Sequence, residues 1–469
     1  MEAFDLVVIG SGPAGQRAAV QAAKLGRRVA VIERYRDVGG VCINTGTVPS
    51  KTMREAVLDL SGLRQRVLYG ASFRAKTDIT AADLVLRTES VMRREREVIR
   101  AQLRRNGVRL IEGFGQFAGP HEVVVSEGAE RRRVRGERIV IAVGTRPATP
   151  PGIDVDHRRV VTSDDVLNLS SLPRHMAVVG AGIIGLEYAT MFATLGVEVT
   201  LIDMREQLLD FVDREMVDHF SYQARAMGVT LRMGEEVQSI EPGEDDHVTL
   251  VMKSGKRLAT EMVLVSAGRE GATGSLQLEA AGLAADERGR IRVNEHFQTA
   301  QPHIYAVGDV IGYPSLASTS SEQGRLAACH AFGEPATTIP ELYPFGIYAI
   351  PEISWVGRSE QELTRQGIPY ETGVARYREI ARGNILGDLE GMMKLIFHID
   401  TRRILGVWCM GAQATELVHI GQAVMALDGT LDYFVRSVFN YPTLAECYKV
   451  AALDGYNKLR SLGEATPAR

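Results

Sequence analysis

The chain has 469 residues, 45% of them hydrophobic, and a formal net charge of −4; a single core stops growing at roughly 250–300 residues, so we expect two or more domains. The slightly acidic balance argues against nucleic acid as a partner, because binding to phosphates needs a basic field. Apolar runs fall short of the ~20 residues that span a bilayer, and four scattered cysteines do not suit a secreted disulfide scaffold, so we expect a cytoplasmic protein with reduced thiols and no membrane partner.

The first predicted elements are a strand, a glycine turn, a helix and a second strand, and they recur later in the chain. Residues 5–33 read DLVVIG-SGPAG, QRAAVQAAKLG and RRVAVIE, and residues 176–203 read MAVVG-AGIIG, LEYATMFATLG and VEVTLID. Each copy predicts a βαβ unit, which implies a parallel sheet with right-handed crossovers. At a constant offset of 170 residues, Gly10, Gly12, Gly15, Gly26 and Glu33 match Gly180, Gly182, Gly185, Gly196 and Asp203.

The segment between the two copies predicts one long polar helix, at about 79–106. An apolar residue recurs there at every seventh position (Leu84, Val91 and Val98) amid a mixed-charge surface. Residues 247–265, which follow the second copy, alternate between apolar and polar side chains in the manner of β-strands.

The last part of the chain has a different pattern. From about 343 onward we expect strands with two helices, at about 412–428 and 443–460, as a separate α+β domain. The whole chain is therefore predicted to be an α/β protein with two Rossmann-like dinucleotide-binding domains and a C-terminal α+β domain. The expected divisions are 1–148 and 272–342 for the first domain, 149–271 for the second and 343–469 for the third.

Each glycine motif has the context that dinucleotide binding requires. It follows a strand, opens a helix and precedes a carboxylate by 18 residues, from Gly15 to Glu33 and from Gly185 to Asp203. The first glycine permits the tight turn, the second lets the backbone approach a pyrophosphate, and the third lets the helix pack close to the strand. The helix N-terminus then offers N–H groups to the phosphates, and the carboxylate accepts hydrogen bonds from a ribose. Two copies predict two ligands.

The second copy carries two opposed signals for the choice of coenzyme. Asp203 favours a ribose 2′-OH and would repel a 2′-phosphate, whereas Arg205 can bind that phosphate. An enzyme that serves both NAD(H) and NADP(H) needs such a compromise. The alternative is an NAD-preferring site with a surface arginine.

Three further segments resemble the class I pyridine nucleotide–disulfide oxidoreductases, the family of glutathione reductase and lipoamide dehydrogenase. They are GGVCINTGTVPSK at 39–51, AVGTRP at 142–147 and the strand and turn at 299–309. The resemblance covers essentially the whole chain, and it implies that the first copy binds FAD, one per subunit, that the second binds NAD(H) or NADP(H), and that the C-terminal domain forms a homodimer. The implied FAD site comprises Gly10, Gly12, Gly15, Glu33, Arg34, Tyr35, Gly39, Gly40, Cys42, Lys51, Gly113, Gly144, Asp309 (on the ribityl chain) and Ala317. The implied coenzyme site comprises Gly180, Gly182, Gly185, Asp203, Arg205 and Gly268.

Two departures from the family pattern concern its thiol chemistry. Cys42 occupies the first position of the redox-active Cys-x-x-x-x-Cys pair, but Thr47 occupies the second. A threonine hydroxyl does not ionise near neutral pH and cannot form the bridge. In the C-terminal acid–base motif, Tyr441 replaces the histidine, and a phenol with a pKa near 10 protonates a leaving thiolate poorly. The thiol machinery is thus missing while both nucleotide sites remain.

This combination resembles one branch of the family, the soluble si-specific pyridine nucleotide transhydrogenases. The match is carried by the Cys42-to-Thr47 replacement and by residues 33–40, 305–318 and 439–453. It implies an FAD homodimer, or a higher homo-oligomer, that oxidises NADPH and reduces NAD+ reversibly by a ping-pong mechanism without a redox-active disulfide. Two alternatives remain open: an NAD(P)H diaphorase or quinone reductase on the same flavin, and a non-catalytic flavin redox sensor.

The resemblance also implies roles for residues near the flavin. Lys51 would lie near flavin N5 and pair with Glu187, and Tyr188 would gate the nicotinamide pocket. The alternatives are a surface lysine for Lys51 and a core aromatic for Tyr188. No cluster of cysteines and histidines has the spacing of metal ligands, so no metal is expected.

Two further roles concern the opposite face of the flavin and the partner subunit. The helix that carries Cys42 and Thr47 would close that face, and Glu446 would reach across the dimer to the partner's flavin. Alternatively, the loop of Glu446 serves packing alone. A disulfide between Cys447 and the partner's Cys42 is a further alternative.

Overall fold

The N-terminal part of the chain forms alternating strands and helices in a computed structural model that describes residues 1–461 except 71, 244–245 and 338–341. The expected domain boundary at 342 directly follows residues that are not described, and the expected last residue, 469, lies outside the described part of the chain. In the first 148 residues the elements are β1 (Glu2–Ile9), α1 (Pro13–Lys24), β2 (Val29–Glu33), α2 (Gly40–Asn44), α3 (Thr47–Ser61), α4 (Arg66–Tyr69), α5 (Ala81–Arg105), β3 (Arg109–Glu112), β4 (Phe114–Gly119), β5 (Glu122–Glu127), β6 (Glu130–Ile141) and β7 (Thr145–Pro147).

The remaining elements follow in two groups. The first group is β8 (Val160–Thr162), β9 (His175–Val179), α6 (Ile183–Thr194), β10 (Glu198–Asp203), α7 (Arg214–Ala226), β11 (Thr230–Met233), β12 (Val237–Pro242), β13 (Val248–Met252), β14 (Arg257–Thr260), β15 (Met262–Val265), β16 (Arg269–Gly271), β17 (Ile304–Ala306) and α8 (Ala317–Ala331). The second group is β18 (Phe345–Ile347), β19 (Ile353–Gly357), α9 (Glu360–Gln366), β20 (Tyr370–Arg376), α10 (Ala381–Leu386), β21 (Met392–His398), β22 (Ile404–Met410), α11 (Ala414–Ala426), α12 (Leu431–Arg436) and α13 (Glu446–Ser461).

The first repeat copy lies in the parallel part of a mixed sheet, in which β1, β2, β3, β6 and β17 pair in parallel as predicted, while β4 and β5 extend the sheet antiparallel. The strand order is β3-β2-β1-β6-β5-β4, with β17 also paired to β6, and β1 pairs in parallel with both β2 and β6. Leu6, Val7 and Val8 are fully buried because helices and strands cover both faces of the sheet. The carboxyl ends of β1, β2, β6 and β17 therefore meet at one edge, where open α/β sheets bind ligands.

The second repeat copy forms its own parallel sheet, in the order β11-β10-β9-β15-β8. A three-stranded antiparallel sheet, β12-β13-β14, packs on it through Leu250 against Ala177 and Val263. The strands expected within 247–265 are β13, β14 and β15. The predicted α/β architecture with two Rossmann-like units is thus confirmed.

The C-terminal part is an antiparallel sheet, β18-β19-β22-β21-β20, with helices packed against it. Trp408 of β22 and Tyr448 of α13 are buried in its two hydrophobic clusters. The helices expected at about 412–428 and 443–460 are α11 and α13. The predicted α+β class of this part is confirmed.

The long polar helix is α5, and its start has a physical cause. The Thr80 hydroxyl accepts from the Asp83 N–H while the Asp83 carboxylate accepts from the Thr80 N–H, which is a capping box. The predicted seven-residue apolar pattern is wrong at its C-terminal end. Leu84 is buried, but Val98 is 56% exposed, and the neighbouring Ile99 is buried instead. A straight helix drifts by about 20° per seven residues, which turns a strict heptad away from the core. No helix among the described residues is both long and apolar enough to cross a membrane.

Candidate active site

The turn between β1 and α1 holds Glu33 in a fixed position. Gly10 has φ +107°, and a Cβ there would stand 2.3 Å from the carbonyl oxygen of Ala142, so this turn requires glycine. Ser11 donates its N–H and its hydroxyl to Glu33 Oε2 at 2.9 and 2.6 Å, and the Tyr35 N–H donates to Oε1 at 3.1 Å. A carboxylate oxygen has two lone pairs, so Oε1 can accept a further hydrogen bond from a ligand.

A cavity of about 580 Å³ opens at the carboxyl ends of β1, β2, β6 and β17. This volume lies within the range of ~300–1,000 Å³ that is usual for ligand pockets. Gly15 and Gly39 lie behind its wall: a Cβ on Gly15 would stand 1.9 Å from the Gly10 carbonyl oxygen, and the Gly39 N–H donates to Ser11 Oγ. Twelve of the residues expected around the flavin line the cavity: Gly10, Gly12, Glu33, Arg34, Tyr35, Gly40, Cys42, Thr47, Gly113, Gly144, Asp309 and Ala317.

The phosphate-binding end of this cavity fits a dinucleotide. No atom lies within 4 Å of the point where a Cβ on Gly12 would stand, so the wall is open there. Helix α1 begins at Pro13 without a side chain capping its N-terminus. Gly12, Pro13 and Ala14 all line the cavity. The free N–H groups and the helix dipole at this end favour the pyrophosphate of a ligand such as FAD.

Asp309 lies on the cavity wall just after β17. The Ser320 hydroxyl donates to Asp309 Oδ1 at 3.3 Å. Burial raises the pKa of Asp309 above its ordinary value, while Arg269 and the hydroxyls of Ser320 and Thr145 oppose that rise. Because a buried carboxylate is stabilised by hydrogen-bond donors, Asp309 suits the hydroxyls of a bound polyol chain.

Cys42 and Thr47 face each other across the junction of α2 and α3. Burial raises the pKa of Cys42 above its ordinary value, and the nearby Thr47 hydroxyl only partly opposes that rise. Cys42 therefore remains a thiol at neutral pH. The structure contradicts a disulfide between Cys447 and the partner's Cys42, because Cys447 is fully buried in the C-terminal core, where burial raises its pKa to about 12.

The fold brings Lys51 and Glu187 together, as the family resemblance implies. Lys51 Nζ donates to both carboxylate oxygens of Glu187, at 2.9 and 2.7 Å. The Glu187 side chain is almost fully buried, whereas 26% of the Lys51 side chain is exposed. The pair joins α3 of the first domain to α6 of the second, so the ammonium is held at a point where the two nucleotide-binding parts meet.

Tyr188 does not have the position expected of a gate. Its side chain is 2% exposed and packs within the hydrophobic core of the second unit. Residues adjacent on a helix point about 100° apart, so Tyr188 turns into the core when Glu187 faces Lys51. The alternative of a core aromatic is the correct one.

The second glycine turn repeats the geometry of the first. Gly180 has φ +103°, and the Ala181 N–H donates to Asp203 Oδ2 at 2.6 Å. The guanidinium of Arg205 also holds this carboxylate, with Nε at 3.0 Å from Oδ1 and Nη2 at 2.8 Å from Oδ2. Burial raises the pKa of Asp203, but hydrogen bonds from Arg205 and Ala181 outweigh it and bring the pKa below its ordinary value. Gly182 is the N-cap of α6, Gly185 lies within the helix, and Gly268 lies between β15 and β16.

Glu446 stands at the start of α13, away from the cavity of its own chain. Its carboxylate accepts the Thr443 N–H at 3.2 Å, and Tyr441 in the same loop is 71% exposed. Neither residue lines the cavity. A single chain thus leaves this loop free to contact another subunit.

Sequence reasoning missed two residues near these groups. Arg96 of α5 lines the cavity and bonds Asn44 Oδ1 at 2.8 Å and Asp37 at 3.0 Å. In the sequence it is one of many charges on a polar helix, so nothing sets it apart. Tyr348 contacts both Lys51 and Glu187 although it lies 161 residues after Glu187. Such a contact arises only from the packing of one domain on another.

The fold also gathers charged side chains that the sequence spacing did not reveal. The Lys394 ammonium is fully buried among Asp213, Glu215 and Glu360, so the chain supplies its own cation to these carboxylates. This cluster joins α7 of the second domain to β21 and α9 of the third. A second group consists of His175, His247 and Glu261, whose ligand atoms lie within 4.8 Å of one another.

Known proteins resemble this chain over its whole length. The family model described as “Pyridine nucleotide-disulphide oxidoreductase” matches residues 4–324, and the model of that family's dimerisation domain matches residues 343–452. A “Soluble pyridine nucleotide transhydrogenase” of Mycobacterium bovis (strain BCG / Pasteur 1173P2) is 56% identical over 466 residues, 99% of each chain. One of the same name from Serratia proteamaculans (strain 568) is 46% identical, covering 97% of this chain and 98% of the relative.

Solved structures have the same fold as this chain. The HOCl-induced flavoprotein disulfide reductase RclA from Escherichia coli has a TM-score of 0.87 at 28% identity, covering 96% of this chain and 99% of that one. LpdA from Mycobacterium tuberculosis also has a TM-score of 0.87, at 25% identity, covering 97% and 99%. The chain therefore belongs to the pyridine nucleotide-disulphide oxidoreductase family: it is a flavin-dependent oxidoreductase that works with NAD(P)H and carries the family's dimerisation domain.

Proposed function

We propose that this enzyme transfers a hydride reversibly from NADPH to NAD+ at a bound FAD, by a ping-pong mechanism without a redox-active disulfide. The observation that carries the proposal is that Thr47 lines the cavity beside Cys42: the second redox position holds a hydroxyl, while both glycine turns keep their geometry. Relatives at 46% and 56% identity that are named soluble pyridine nucleotide transhydrogenases support it.

The first cavity would hold FAD, one per subunit. Bound FAD supplies a ring that accepts a hydride and returns it. In this proposal Glu33 binds ribose hydroxyls, Asp309 binds the ribityl chain, and Gly12 lets the backbone approach the pyrophosphate. The wall is completed by Gly10, Gly15, Arg34, Tyr35, Gly39, Gly40, Cys42, Gly113, Gly144 and Ala317.

The residues beside the flavin ring would determine the local charge and the side of the ring by which electrons enter and leave. The Cys42–Thr47 pair blocks electron flow through sulfur, because it contains one thiol and no partner for a bridge. Both half-reactions must then use the nicotinamide side. Lys51, held by Glu187, would present a fixed cation that favours the reduced flavin.

The coenzyme site would serve NADP(H) and NAD(H) through the Asp203–Arg205 pair. Arg205 already neutralises Asp203, so a 2′-phosphate meets a cation as well as an anion. A coenzyme with a free 2′-OH can instead donate to the Asp203 carboxylate. Gly180, Gly182, Gly185 and Gly268 would shape the pyrophosphate and nicotinamide ends of this site.

The assembly would be a homodimer in the cytoplasm. The domain divisions proposed are 1–148 with 272–342, 149–271 and 343–469. The matched dimerisation domain and the exposure of Tyr441 support contact between the loop before α13 and a second subunit. Glu446 would then stand near the partner's flavin.

A stopped-flow competition tests the proposal. NADPH first reduces the purified enzyme, which should bleach the yellow flavin band. The reduced enzyme is then mixed with a thionicotinamide analogue of NAD+, a quinone or oxygen. The proposal requires reoxidation to be fastest with the NAD+ analogue. Faster reoxidation by quinone would identify a diaphorase, and a flavin that NADPH does not bleach would identify a redox sensor.

Thr47→Cys provides the matched variant. It adds the second sulfur at a side chain that lines the cavity beside Cys42. We expect NADPH to reduce the new disulfide after the flavin, so that electrons are diverted and reduction of NAD+ slows. Mass spectrometry with and without a reductant reports whether the bridge forms. Wild-type enzyme that reduces a disulfide substrate with NADPH as fast as it reduces NAD+ would contradict the proposed function.

A further inference from the structure

The Lys51 ammonium is enclosed by groups from all three domains. Lys51 belongs to α3, and its carboxylate partner Glu187 belongs to α6 of the second unit. The third contact comes from the C-terminal domain, where Nζ lies 4.9 Å from the ring centroid of Tyr348. A cation over the face of an aromatic ring within about 6 Å is attracted by the ring quadrupole.

Tyr348 also holds the other member of the ion pair. Its N–H donates to Glu187 Oε1 at 2.9 Å, the same oxygen that Lys51 contacts at 2.9 Å. Burial raises the pKa of Tyr348 above its ordinary value, and the nearby Thr415 side chain, at the start of α11, only partly opposes that rise. The side chain is thus a neutral ring whose backbone is fixed to Glu187.

A second set of buried contacts holds the segment that follows Tyr348, residues 349–352, against α3. Arg54, one turn after Lys51, is 3% exposed and donates to the Ala349 carbonyl oxygen at 3.0 Å. Its guanidinium also lies 3.1 Å from Glu352, which accepts the Thr415 hydroxyl at 3.0 Å. Residues 348–352 are therefore clamped to the helix that carries Lys51.

We propose that Tyr348 is a positioning residue, which holds the Lys51 ammonium against Glu187 and so lets the C-terminal domain set the charge beside the flavin. This inference rests on the hydride-transfer function proposed above and names a further residue of the same site. The 26% exposure of Lys51 shows why the ring is needed. A flexible lysine with one face open to water leaves its ion pair unless another group covers it.

The side chain and the backbone of Tyr348 act separately, which makes the inference testable. Every substitution except proline keeps the N–H that Glu187 accepts. Tyr348→Phe keeps the ring and removes the hydroxyl, whereas Tyr348→Leu removes the ring. The exposed Tyr222 of α7 offers a matched control, Tyr222→Leu, because it is 69% exposed and lies outside the site.

Three measurements on FAD-loaded enzyme test the role: the midpoint potential of the flavin, its rate of reduction by NADPH, and the rate at which Lys51 is methylated, followed by mass spectrometry. For Tyr348→Leu we expect reduction to slow about 10-fold and Lys51 to be modified faster. We also expect a shift of about 10-fold in the reduction equilibrium, or ~30 mV more negative for two electrons. Tyr348→Phe should change each by less than about 3-fold, and Tyr222→Leu should match wild type.

A double variant separates positioning from packing. If Tyr348 acts through Lys51, then Lys51→Met with Tyr348→Leu reduces its flavin no more slowly than Lys51→Met alone. Additive losses overturn the inference, as does a Tyr348→Leu enzyme with wild-type potential and Lys51 reactivity. If the Leu variant does not keep FAD, Tyr348→Phe with an increasingly fluorinated ring replaces it, since fluorine weakens the ring face at nearly constant shape. A potential that does not change along that series also overturns the inference.

The two proposals fail in different ways. Wild-type enzyme that is reduced by NADPH but does not reduce NAD+ contradicts the transhydrogenase function, and the potential and the Lys51 labelling still decide the role of Tyr348. Transhydrogenation by wild type together with unaltered values for Tyr348→Leu leaves the function standing and removes the positioning role alone.

Discussion

The two dinucleotide turns share a backbone and differ in how each holds its carboxylate. In the first unit, the Ser11 N–H donates to Glu33 at 2.9 Å; in the second, the Ala181 N–H donates to Asp203 at 2.6 Å. These residues are 170 positions apart in both cases. The glycine spacing therefore produces the same strand–turn–helix geometry twice in one chain.

The difference lies in the side chains around each carboxylate. Glu33 also accepts the Ser11 hydroxyl at 2.6 Å, and Tyr35, two residues on, gives it only an N–H. Arg205, at the position equivalent to Tyr35, gives Asp203 an N–H and a guanidinium fork. The first carboxylate is left an anion with room for hydroxyls, whereas the second is already neutralised.

This difference separates two functions of the motif. The backbone determines that a dinucleotide binds, because it presents N–H groups and an open approach to the pyrophosphate. In the proposed function, the residue two positions after the carboxylate sets which charge the ligand can carry near its ribose. The first unit would keep one ligand and need no such cation, whereas the second would exchange two coenzymes and use it.

The largest effect is expected when the shared backbone is broken in one unit at a time. An alanine at Gly10 or Gly180 would have φ above +100°, with its Cβ 2.3 or 2.5 Å from a carbonyl oxygen. The left-handed conformation alone costs roughly 1–2 kcal/mol, and the clash must then move the turn. We expect Gly10→Ala to purify without FAD.

Gly180→Ala is the matched change, and we expect a different loss. The protein should remain yellow, while NADPH reduces its flavin at least about 100-fold more slowly because the coenzyme phosphates lose the turn. Absorbance spectra and stopped-flow reduction distinguish the two variants. Loss of FAD from both would show that the two units do not bind independently.

The sequence alone predicted the strand–turn–helix backbone that the two units share. It did not predict how the side chains around the two carboxylates differ. Spacing and residue type were enough for both βαβ units, because the glycine positions and the carboxylates are local signals. The Arg205 fork on Asp203 was not predicted, since the arginine was expected to face a ligand. A side chain two residues from a carboxylate has several rotamers, and only the fold selects among them.

The catalytic end of the site shows the same limit. The family pattern placed Lys51 beside Glu187, and their distance agrees. The pattern did not reveal Tyr348, whose contact depends on the C-terminal domain packing on α3. The resemblance also implied a gate at Tyr188, but a helix turns adjacent residues apart, so Tyr188 lies in the core when Glu187 faces Lys51.

Arg205→Ala removes the cation that distinguishes the second unit. A charge-assisted hydrogen bond contributes about 1.5–3 kcal/mol, so we expect KM for NADPH to rise about 30-fold. KM for NADH should change less than about 3-fold, because a 2′-OH is held by Asp203. Steady-state kinetics with each coenzyme measures the ratio. An equal rise for both coenzymes would mean that Arg205 only supports Asp203.

Ser11→Ala gives the first unit the side chain of the second. The variant loses a buried hydroxyl that donates to Glu33 at 2.6 Å and accepts the Gly39 N–H at 2.9 Å. An unsatisfied buried group costs about 1–3 kcal/mol, so FAD affinity should fall about 10-fold. Ala181→Ser is the reciprocal variant and should change little, because Asp203 Oδ2, the oxygen nearest residue 181, already accepts from the Ala181 N–H and from Arg205. Fluorescence titration of apoenzyme with FAD measures the first, and thermal unfolding the second.

The smallest effect concerns acid stability and again depends on Arg205. The pKa of Asp203 lies below its ordinary value in the folded chain, so the ionised carboxylate stabilises the fold above the unfolded pKa of about 3.9. That contribution is lost as the pH falls through the folded pKa. Arg205→Ala lifts the pKa of Asp203, so the variant is less stable than wild type at pH 6 and loses less on acidification. Urea unfolding from pH 6 to pH 3 should give two curves that converge, whereas Arg225→Ala, on the exposed side of α7, should follow wild type throughout. Curves for wild type and Arg205→Ala that stay parallel would show that the stability lost with Arg205 does not depend on the charge of Asp203.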